Sequence, residues 1–164
     1  GHPEWIDFPR EGNNWSYKYA RRQWSLADRK DLKYHYLYDF DINMISFVEE
    51  SGLLSEQFTE KVYSHNADNI LAYKRGVYLM VFNFHPSKSF TDYRIALAGR
   101  YKIVLDTDRK AFGGYDRINS EMTYISSRKT GEKLNSPLSL SLYLPSRTGI
   151  ILKQIPARPI NQST

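Results

Sequence analysis

The spacing of apolar residues changes its period near residue 60. Before that point, seven apolar positions are three, four or one residue apart, which is the pattern of one face of an amphipathic helix. They are Leu32, Tyr36, Leu37, Phe40, Met44, Phe47 and Val48. We therefore predict helical structure over residues 25–51, starting at the capping-box pattern Ser25–Asp28 and ending before Gly52. Asp39 and Asp41 mark where the segment could divide into two helices, because Asp caps helices better than it continues them.

From residue 60 onward, short apolar runs alternate with turn-forming residues. Eight runs are predicted as strands: Glu60–Ser64, Ile70–Lys74, Val77–Phe84, Asp92–Leu97, Tyr101–Asp106, Met122–Ser126, Leu138–Leu144 and Gly149–Ile155. Leucine and serine alternate strictly over 138–142, which indicates a strand with one buried face. Runs that recur roughly every 8–12 residues favour an antiparallel sandwich. The predicted fold class is therefore mainly β, a C-terminal antiparallel β-sandwich of about eight strands preceded by an N-terminal loop and a helical segment.

Residues 1–24 follow neither period. Pro3, Pro9 and Gly12 interrupt them, and most of their apolar members are aromatic. We interpret this stretch as an ordered loop that includes a helical turn. A loop of this length in a compact domain usually serves function or packs against another body.

Composition and charge narrow the functional classes. The chain has 164 residues and no Cys, which excludes disulfides, thiolate metal sites and a Cys nucleophile. The net charge is +5, with −5 over residues 25–60 and +9 over 61–164, so the two stretches are predicted to be different structural units. No apolar run is long enough to predict a membrane span. The chain begins without Met and without a signal-peptide pattern, so we expect a piece of a longer, cytoplasmic polypeptide with no membrane partner.

Motifs for metal, phosphate and nucleophilic chemistry are missing from the sequence. The four His are dispersed, and the pair Asp106 and Asp108 lacks the rest of a calcium loop, so Asp106 is predicted to end a strand and cap a turn. Neither a nucleophile elbow nor a Gly-rich phosphate loop occurs. We therefore predict no catalytic residue, no metal and no cofactor for this chain.

Two other interpretations concern the aromatic N-terminal loop. Three carboxylates (Glu4, Asp7 and Glu11) lie among Trp and Tyr residues, which suits the rim of a sugar site and equally suits loop residues that bond backbone amides. Basic and aromatic residues also interleave over residues 17–24, as on a single-strand stacking platform. The net charge is modest and no nucleic-acid motif occurs, so a solvated basic face is favoured and no nucleic acid is expected.

Four segments carry a family resemblance. They are Gly1–Trp24, Val81–Arg94, Val104–Asp108 with Gly113-Gly114, and Leu142–Arg147. Together they resemble eukaryotic-type glycogen (1,4-alpha-glucan) branching enzymes of the alpha-amylase superfamily. The resemblance implies that residues 1–55 are the tail of a catalytic (β/α)8 barrel (loop 1–24, helical 25–51). It also implies that residues 56–164 are the C-terminal all-β sandwich.

The resemblance also implies a function. The parent would act on α-1,4-glucan or glycogen and transfer α-1,4-linked segments to form α-1,6 branches, with its catalytic carboxylates upstream of this segment. The missing barrel would pack on residues 1–55. Without it, the helical residues Leu32, Leu37, Phe40 and Phe47 are expected to be partly exposed or to pack against another chain. The chain itself would be structural, with glucan contacts from His2, Trp5, Arg10, Trp15 and Tyr17 near the barrel mouth. Lys18 and Trp24 differ from residues common in the family. The alternative is a stand-alone carbohydrate-binding β-module.

Overall fold

A computed structural model describes residues 7–18, 20 and 25–156. Eight antiparallel strands lie in this part of the chain: β1 Thr59–His65, β2 Ile70–Arg75, β3 Tyr78–Asn83, β4 Phe90–Ile95, β5 Arg100–Asp106, β6 Thr123–Ile125, β7 Leu140–Leu144 and β8 Thr148–Ile155. Six of them form one sheet in the order β1-β2-β3-β8-β5-β6, and β4 pairs with β7 in the other. The predicted mainly β fold is confirmed.

The space between the two sheets is filled by residues that alternate along the strands. On β7, Leu140, Leu142 and Leu144 are buried, whereas the residues between them are half-exposed. Leu79 on β3 and Leu152 on β8 meet them from the six-stranded sheet, and both are fully buried. The alternation of leucine and serine thus marks a strand with one face in the core, as predicted.

The helical segment consists of α1 (Ser25–Asp28) and α2 (Tyr34–Ser51). The predicted division at residues 39–41 is wrong, because α2 continues through them with both Asp side chains exposed to solvent. The chain turns at residues 29–33 instead. There, the Arg29 guanidinium pairs with Asp31 at 2.5 Å and the Leu32 N–H donates to the Arg29 carbonyl. An exposed Asp is tolerated in a helix whose other face is held by packing.

The end of α2 follows the predicted signal. Gly52 has a φ of 64°, the left-handed conformation in which a helix commonly ends and which glycine adopts without strain. A short 3₁₀ turn, Leu53–Ser55, then leads towards the sheet. No helix within residues 7–18, 20 and 25–156 is long and apolar enough to cross a membrane.

Helix α2 packs on the outer face of the six-stranded sheet. Phe47 meets Tyr78 edge-on at 5.3 Å between ring centroids, and Phe40 meets Phe112 edge-on at 5.4 Å. Leu53 and Met80 belong to the same apolar contact region as Phe47. Even so, α2 contains no fully buried residue. Of the four residues expected to be partly exposed or packed against another chain, Leu32, Phe40 and Phe47 are half-buried and Leu37 is 61% exposed. For Phe40 and Phe47 the expected partner is wrong, because both pack against this chain's own sandwich.

A second apolar stripe runs along the opposite side of α2. Tyr38, Ile42 and Ile45 follow an i, i+4, i+7 spacing and all three are exposed. At about 100° per residue, these positions lie roughly on the other side of the helix from Phe40 and Phe47. The sequence pattern showed only the stripe that faces the sandwich. A helix that is apolar on two opposite sides is suited to a position between two packed bodies.

Asn83, the last residue of β3, joins the two sheets. Its side chain is buried, and its Nδ2 group lies within hydrogen-bond distance of the carbonyls of Leu144 (3.0 Å), Pro145 (2.9 Å) and Lys88 (2.9 Å). Its Oδ1 accepts the His85 N–H at 2.9 Å. One amide therefore connects the end of β3, the turn that follows it and the end of β7.

We expect Asn83→Asp to be strongly destabilising. The change keeps the acceptor for His85 but replaces the donor with an oxygen that faces three carbonyls. Leaving buried groups unsatisfied costs about 1–3 kcal/mol each, and more with a charge, so the free energy of unfolding should fall by about 3 kcal/mol or more. Denaturant unfolding at pH 7 measures this loss.

The matched control is Asn119→Asp. Exposed Asn119 also accepts an N–H two residues ahead, from Glu121 at 3.1 Å, but donates to no described residue through its side chain. This control should change stability by less than about 0.5 kcal/mol. Equal losses in the two variants would contradict the assigned role of Asn83.

Candidate functional site

The described part of the N-terminal loop, residues 7–18, is organised around Asp7. Arg10 pairs with it through Nε at 3.0 Å, and the Asn13 Nδ2 donates to its other oxygen at 3.1 Å. The Arg10 hydrogen bond is the main cause that holds the pKa of Asp7 below its usual range. Asn13 also closes the 3₁₀ turn Glu11–Asn13, because its Oδ1 accepts the Arg10 N–H. Arg10 therefore shapes the loop as well as presenting a guanidinium.

The same loop presents aromatic rings to solvent. Asn14 and Trp15 adopt left-handed φ angles of 51° and 58°, which turn the chain tightly, and the Trp15 N–H donates to the Arg10 carbonyl. Trp15 is 67% exposed, and Phe8 and Tyr17 are similarly exposed. Of the sequence-predicted contacts, the structure thus places Arg10, Trp15 and Tyr17 on one loop. His2 and Trp5 lie outside the described residues.

A second polar constellation follows β5 and was not singled out as a site from sequence. Asp106 ends β5 and its Oδ1 accepts the Asp108 N–H at 2.7 Å, so its predicted role as a strand end and turn cap is confirmed. Asp108 is 2% exposed and accepts the Arg117 N–H at 2.8 Å and an Arg117 terminal nitrogen at 2.7 Å. Nine residues separate Asp108 from Arg117, and no sequence period links them.

The two buried carboxylates have opposite electrostatic environments. Burial is the largest influence on Asp106 and raises its pKa, against the smaller effect of the Asp108 N–H. Burial also acts to raise the pKa of Asp108, but the hydrogen bonds and charge of Arg117 outweigh it and hold that pKa below its usual range. Asp106 is therefore a buried carboxylate without a salt-bridge partner among the described residues, whereas Asp108 is stabilised in its charged form.

Glycine allows the loop after Asp108 to fold back closely. A Cβ on Gly114 would lie 2.2 Å from the Asp108 carbonyl oxygen, which no other residue could accommodate. Among the concave surfaces that adjoin this loop, two share part of their lining. One, of about 820 Å³, lies against α2 and is lined mainly by apolar groups, and the other, of about 510 Å³, has mainly polar walls. Thr107, Phe112 and Gly113 line both of them.

Metal chemistry has no site in the described part of the chain. No group of three or more His, Cys, Asp or Glu side chains is positioned to hold an ion there. The carboxylates of the loop after β5 bond backbone amides and Arg117 instead.

Residues 62–154 match the family model for the alpha amylase, C-terminal all-beta domain. The matched stretch begins within β1 and ends within β8, and so contains the sandwich and the loop after β5. The chain belongs to this family. The family match therefore assigns the sandwich, and the arrangement of Asp108 and Arg117 is part of this alpha-amylase C-terminal domain.

Relatives extend the similarity beyond the matched domain. The chain is 44% identical over 154 residues to the 1,4-alpha-glucan-branching enzyme of Rhizophagus irregularis and 44% identical over 158 residues to that of Felis catus. It is 46% identical over 154 residues to the enzyme of the same name from Candida glabrata. These alignments cover 93% or 94% of this chain but 22% of each relative. The chain thus spans about a fifth of the length of the relatives it matches.

In this alpha-amylase C-terminal domain, we expect Asp106→Asn and Asp108→Asn to have opposite effects on stability. Asp106→Asn removes a buried charge and keeps the acceptor, so it should raise the free energy of unfolding at pH 7. Asp108→Asn removes the charged partner of Arg117 and should lower it by about 2–3 kcal/mol. Denaturant unfolding at pH 7 measures both.

The pH dependence checks the cause. Because the pKa of Asp106 is raised in the folded state, its buried charge lowers the free energy of unfolding only as the pH rises above about 4. The stability gained in Asp106→Asn should therefore vanish in acid. The folded pKa of Asp108 is lowered, so its contribution is lost as pH falls below about 4, and the penalty of Asp108→Asn should shrink there. Changes of the same sign in the free energy of unfolding of the two variants at pH 7 would contradict this account.

Proposed function

We propose that this chain is the C-terminal part of a 1,4-alpha-glucan (glycogen) branching enzyme. The observation that carries the proposal is identity of about 44% to such enzymes across 93% of the chain, including the helical segment outside the family model. The parent would cleave an α-1,4 linkage, hold the glucan on a carboxylate as a covalent intermediate, and transfer it to a 6-hydroxyl as an α-1,6 branch. Its nucleophile and its acid/base would come from outside this chain.

In this proposal, residues 1–55 complete and pack against the catalytic barrel, and residues 56–164 form the sandwich beside it. The two apolar stripes of α2 support this division. The stripe of Phe40 and Phe47 is occupied by the sandwich, while Tyr38, Ile42 and Ile45 remain exposed. Burying a side chain of this size contributes roughly 1.5–3 kcal/mol, so a second packed body would stabilise the helix substantially.

The N-terminal loop is proposed to contact glucan at the mouth of the barrel. Exposed rings such as Trp15 and Tyr17 offer apolar faces to the C–H faces of glucose, while polar edges remain free for hydroxyls. The Arg10–Asp7 pair keeps the loop in shape without a ligand. His2 and Trp5 belong to the same proposed rim, the parent is proposed to be cytoplasmic, and the reaction needs no cofactor.

A chimeric enzyme tests the proposed function. Replacing the matching C-terminal stretch of the Candida glabrata enzyme with this chain should yield an active branching enzyme, because the same interface would form. The readouts are the fall in absorbance of the amylose–iodine complex and the appearance of α-1,6 anomeric protons by NMR.

The control for the chimera is the same enzyme with the stretch deleted, which should be inactive or insoluble. A soluble, folded chimera that forms no α-1,6 linkages would contradict the proposal. If this chain nevertheless bound glucan by itself, the stand-alone carbohydrate-binding module would become the better assignment.

Trp15→Ala in the active chimera should lower kcat/KM about two- to tenfold. One ring contact contributes about 0.5–1.5 kcal/mol, and 1.4 kcal/mol corresponds to a factor of ten. Trp15 is largely exposed, so the melting temperature should not change. Trp15→Phe retains a ring and should keep most of the activity. Unchanged kinetics in Trp15→Ala would rule out a substrate contact at this position.

A further inference from the structure

The polar concave surface beside the loop after β5 has the features of a binding site. We call it the Arg147 groove, with walls formed by Pro86, Thr107, Tyr115, Arg117, Ser146 and Arg147. Its volume of about 510 Å³ lies within the usual range of ligand pockets, about 300–1,000 Å³. Three stretches of chain distant in sequence meet there, so no single local motif predicted a site at this position.

The walls of the Arg147 groove are held in place from behind. On one side, buried Asp108 fixes the guanidinium of Arg117 and Gly114 packs against the Asp108 backbone. On the other side, the Asn83 amide ties the carbonyls of Lys88 and Pro145, which flank the stretches that carry Pro86 and Arg147. A site ordered before binding loses little conformational entropy when a ligand enters.

Arg147 contributes unused hydrogen-bond donors. Its backbone has a φ of 57°, and its Nε donates to the Pro86 carbonyl at 2.7 Å, which anchors the side chain across the groove. Within the described residues, its two terminal nitrogens have no partner. A planar, anchored guanidinium with free N–H groups suits recognition of oxygen atoms at defined positions.

Tyr115 contributes an aromatic surface next to these donors. The residue is 75% exposed, and the Arg117 guanidinium lies 5.0 Å from the centre of its ring. This contact orients the ring while most of it remains open to solvent. A ring beside fixed donors matches a ligand that has apolar C–H faces and polar edges, as a pyranose has.

The charge balance favours a neutral ligand over an anion. Asp108 pairs with Arg117 at 2.7 Å, so Arg147 is the one uncompensated charge among the six wall residues named above. A single exposed guanidinium attracts a phosphate only weakly in water. Hydroxyl groups need hydrogen-bond donors but no neutralisation of charge. Both arginines provide such donors.

We propose that the Arg147 groove binds α-1,4-glucan and is a second glucan contact on the sandwich itself. The class of ligand in this proposal rests on the proposed function, and the position of the site rests on the geometry of the groove. The groove would hold part of a glucan chain without taking part in the reaction. Such binding raises the local concentration of glucan at the enzyme.

The test is a titration of the 164-residue chain with maltoheptaose, followed by calorimetry and by NMR shifts. Saturable, weak binding is expected. Tyr115→Ala and Arg147→Ala should each weaken it about two- to tenfold, the effect of losing one ring or one charge-assisted contact. Both side chains are exposed, and unchanged melting temperatures would confirm that the variants fold.

Arg128→Ala is the matched control, because exposed Arg128 also donates its Nε to a backbone carbonyl, that of Ser136 at 3.1 Å, but does not line the groove. It should bind maltoheptaose as the unchanged chain does. Absence of binding, equal affinities in all variants, or binding of inorganic phosphate alone would overturn the groove assignment. An active chimera with a non-binding groove would refute only this inference, whereas groove binding with an inactive chimera would refute only the proposed function.

Discussion

The buried carboxamide of Asn83 is the contact on which both the sandwich and its loops depend. Its three carbonyl partners come from the turn after β3 and from the end of β7, up to 62 residues away in sequence. Apolar packing brings two sheets together but does not determine how their ends are joined, because it is not directional. A buried amide requires its partners at specific positions, and so it selects one arrangement of the loops among many with similar packing.

Most of the fold was predictable because the pattern of apolar and polar residues within a strand reflects which of its faces are buried. The leucines of β7 alternate with polar residues, and β3 is a nearly continuous apolar run because it lies centrally between a core and a helix. The division of the helix was mispredicted because the propensity of Asp is weak against tertiary packing. Phe40 lies between Asp39 and Asp41, and its contact with Phe112 holds the helix through that point.

The sequence singles out candidate site residues only where they are concentrated in one stretch. Trp15 and Tyr17 are close in sequence, and the family resemblance together with the aromatic density of their loop made them candidates, so their glucan contacts stay predictions. Tyr115, Arg117 and Arg147 become neighbours only after β5 and β8 pair and the Asp108–Arg117 contact closes the loop. Similarly, Asp106 and Asp108 are the same residue type two positions apart, and only the folded environment gives them opposite pKa shifts.

The position of α2 has a mechanical consequence. Its two apolar stripes lie on opposite sides of one rigid rod, so any repacking at Phe112 or Tyr78 displaces Tyr38, Ile42 and Ile45 together. Helices transmit such shifts because their backbone hydrogen bonds resist bending over a few turns. In the proposed enzyme, α2 would lie between the sandwich and the barrel. A conservative substitution inside the sandwich would thus shift the helix and change how the barrel is aligned with the sandwich. Variants of this domain could therefore impair an active site that contains none of their residues.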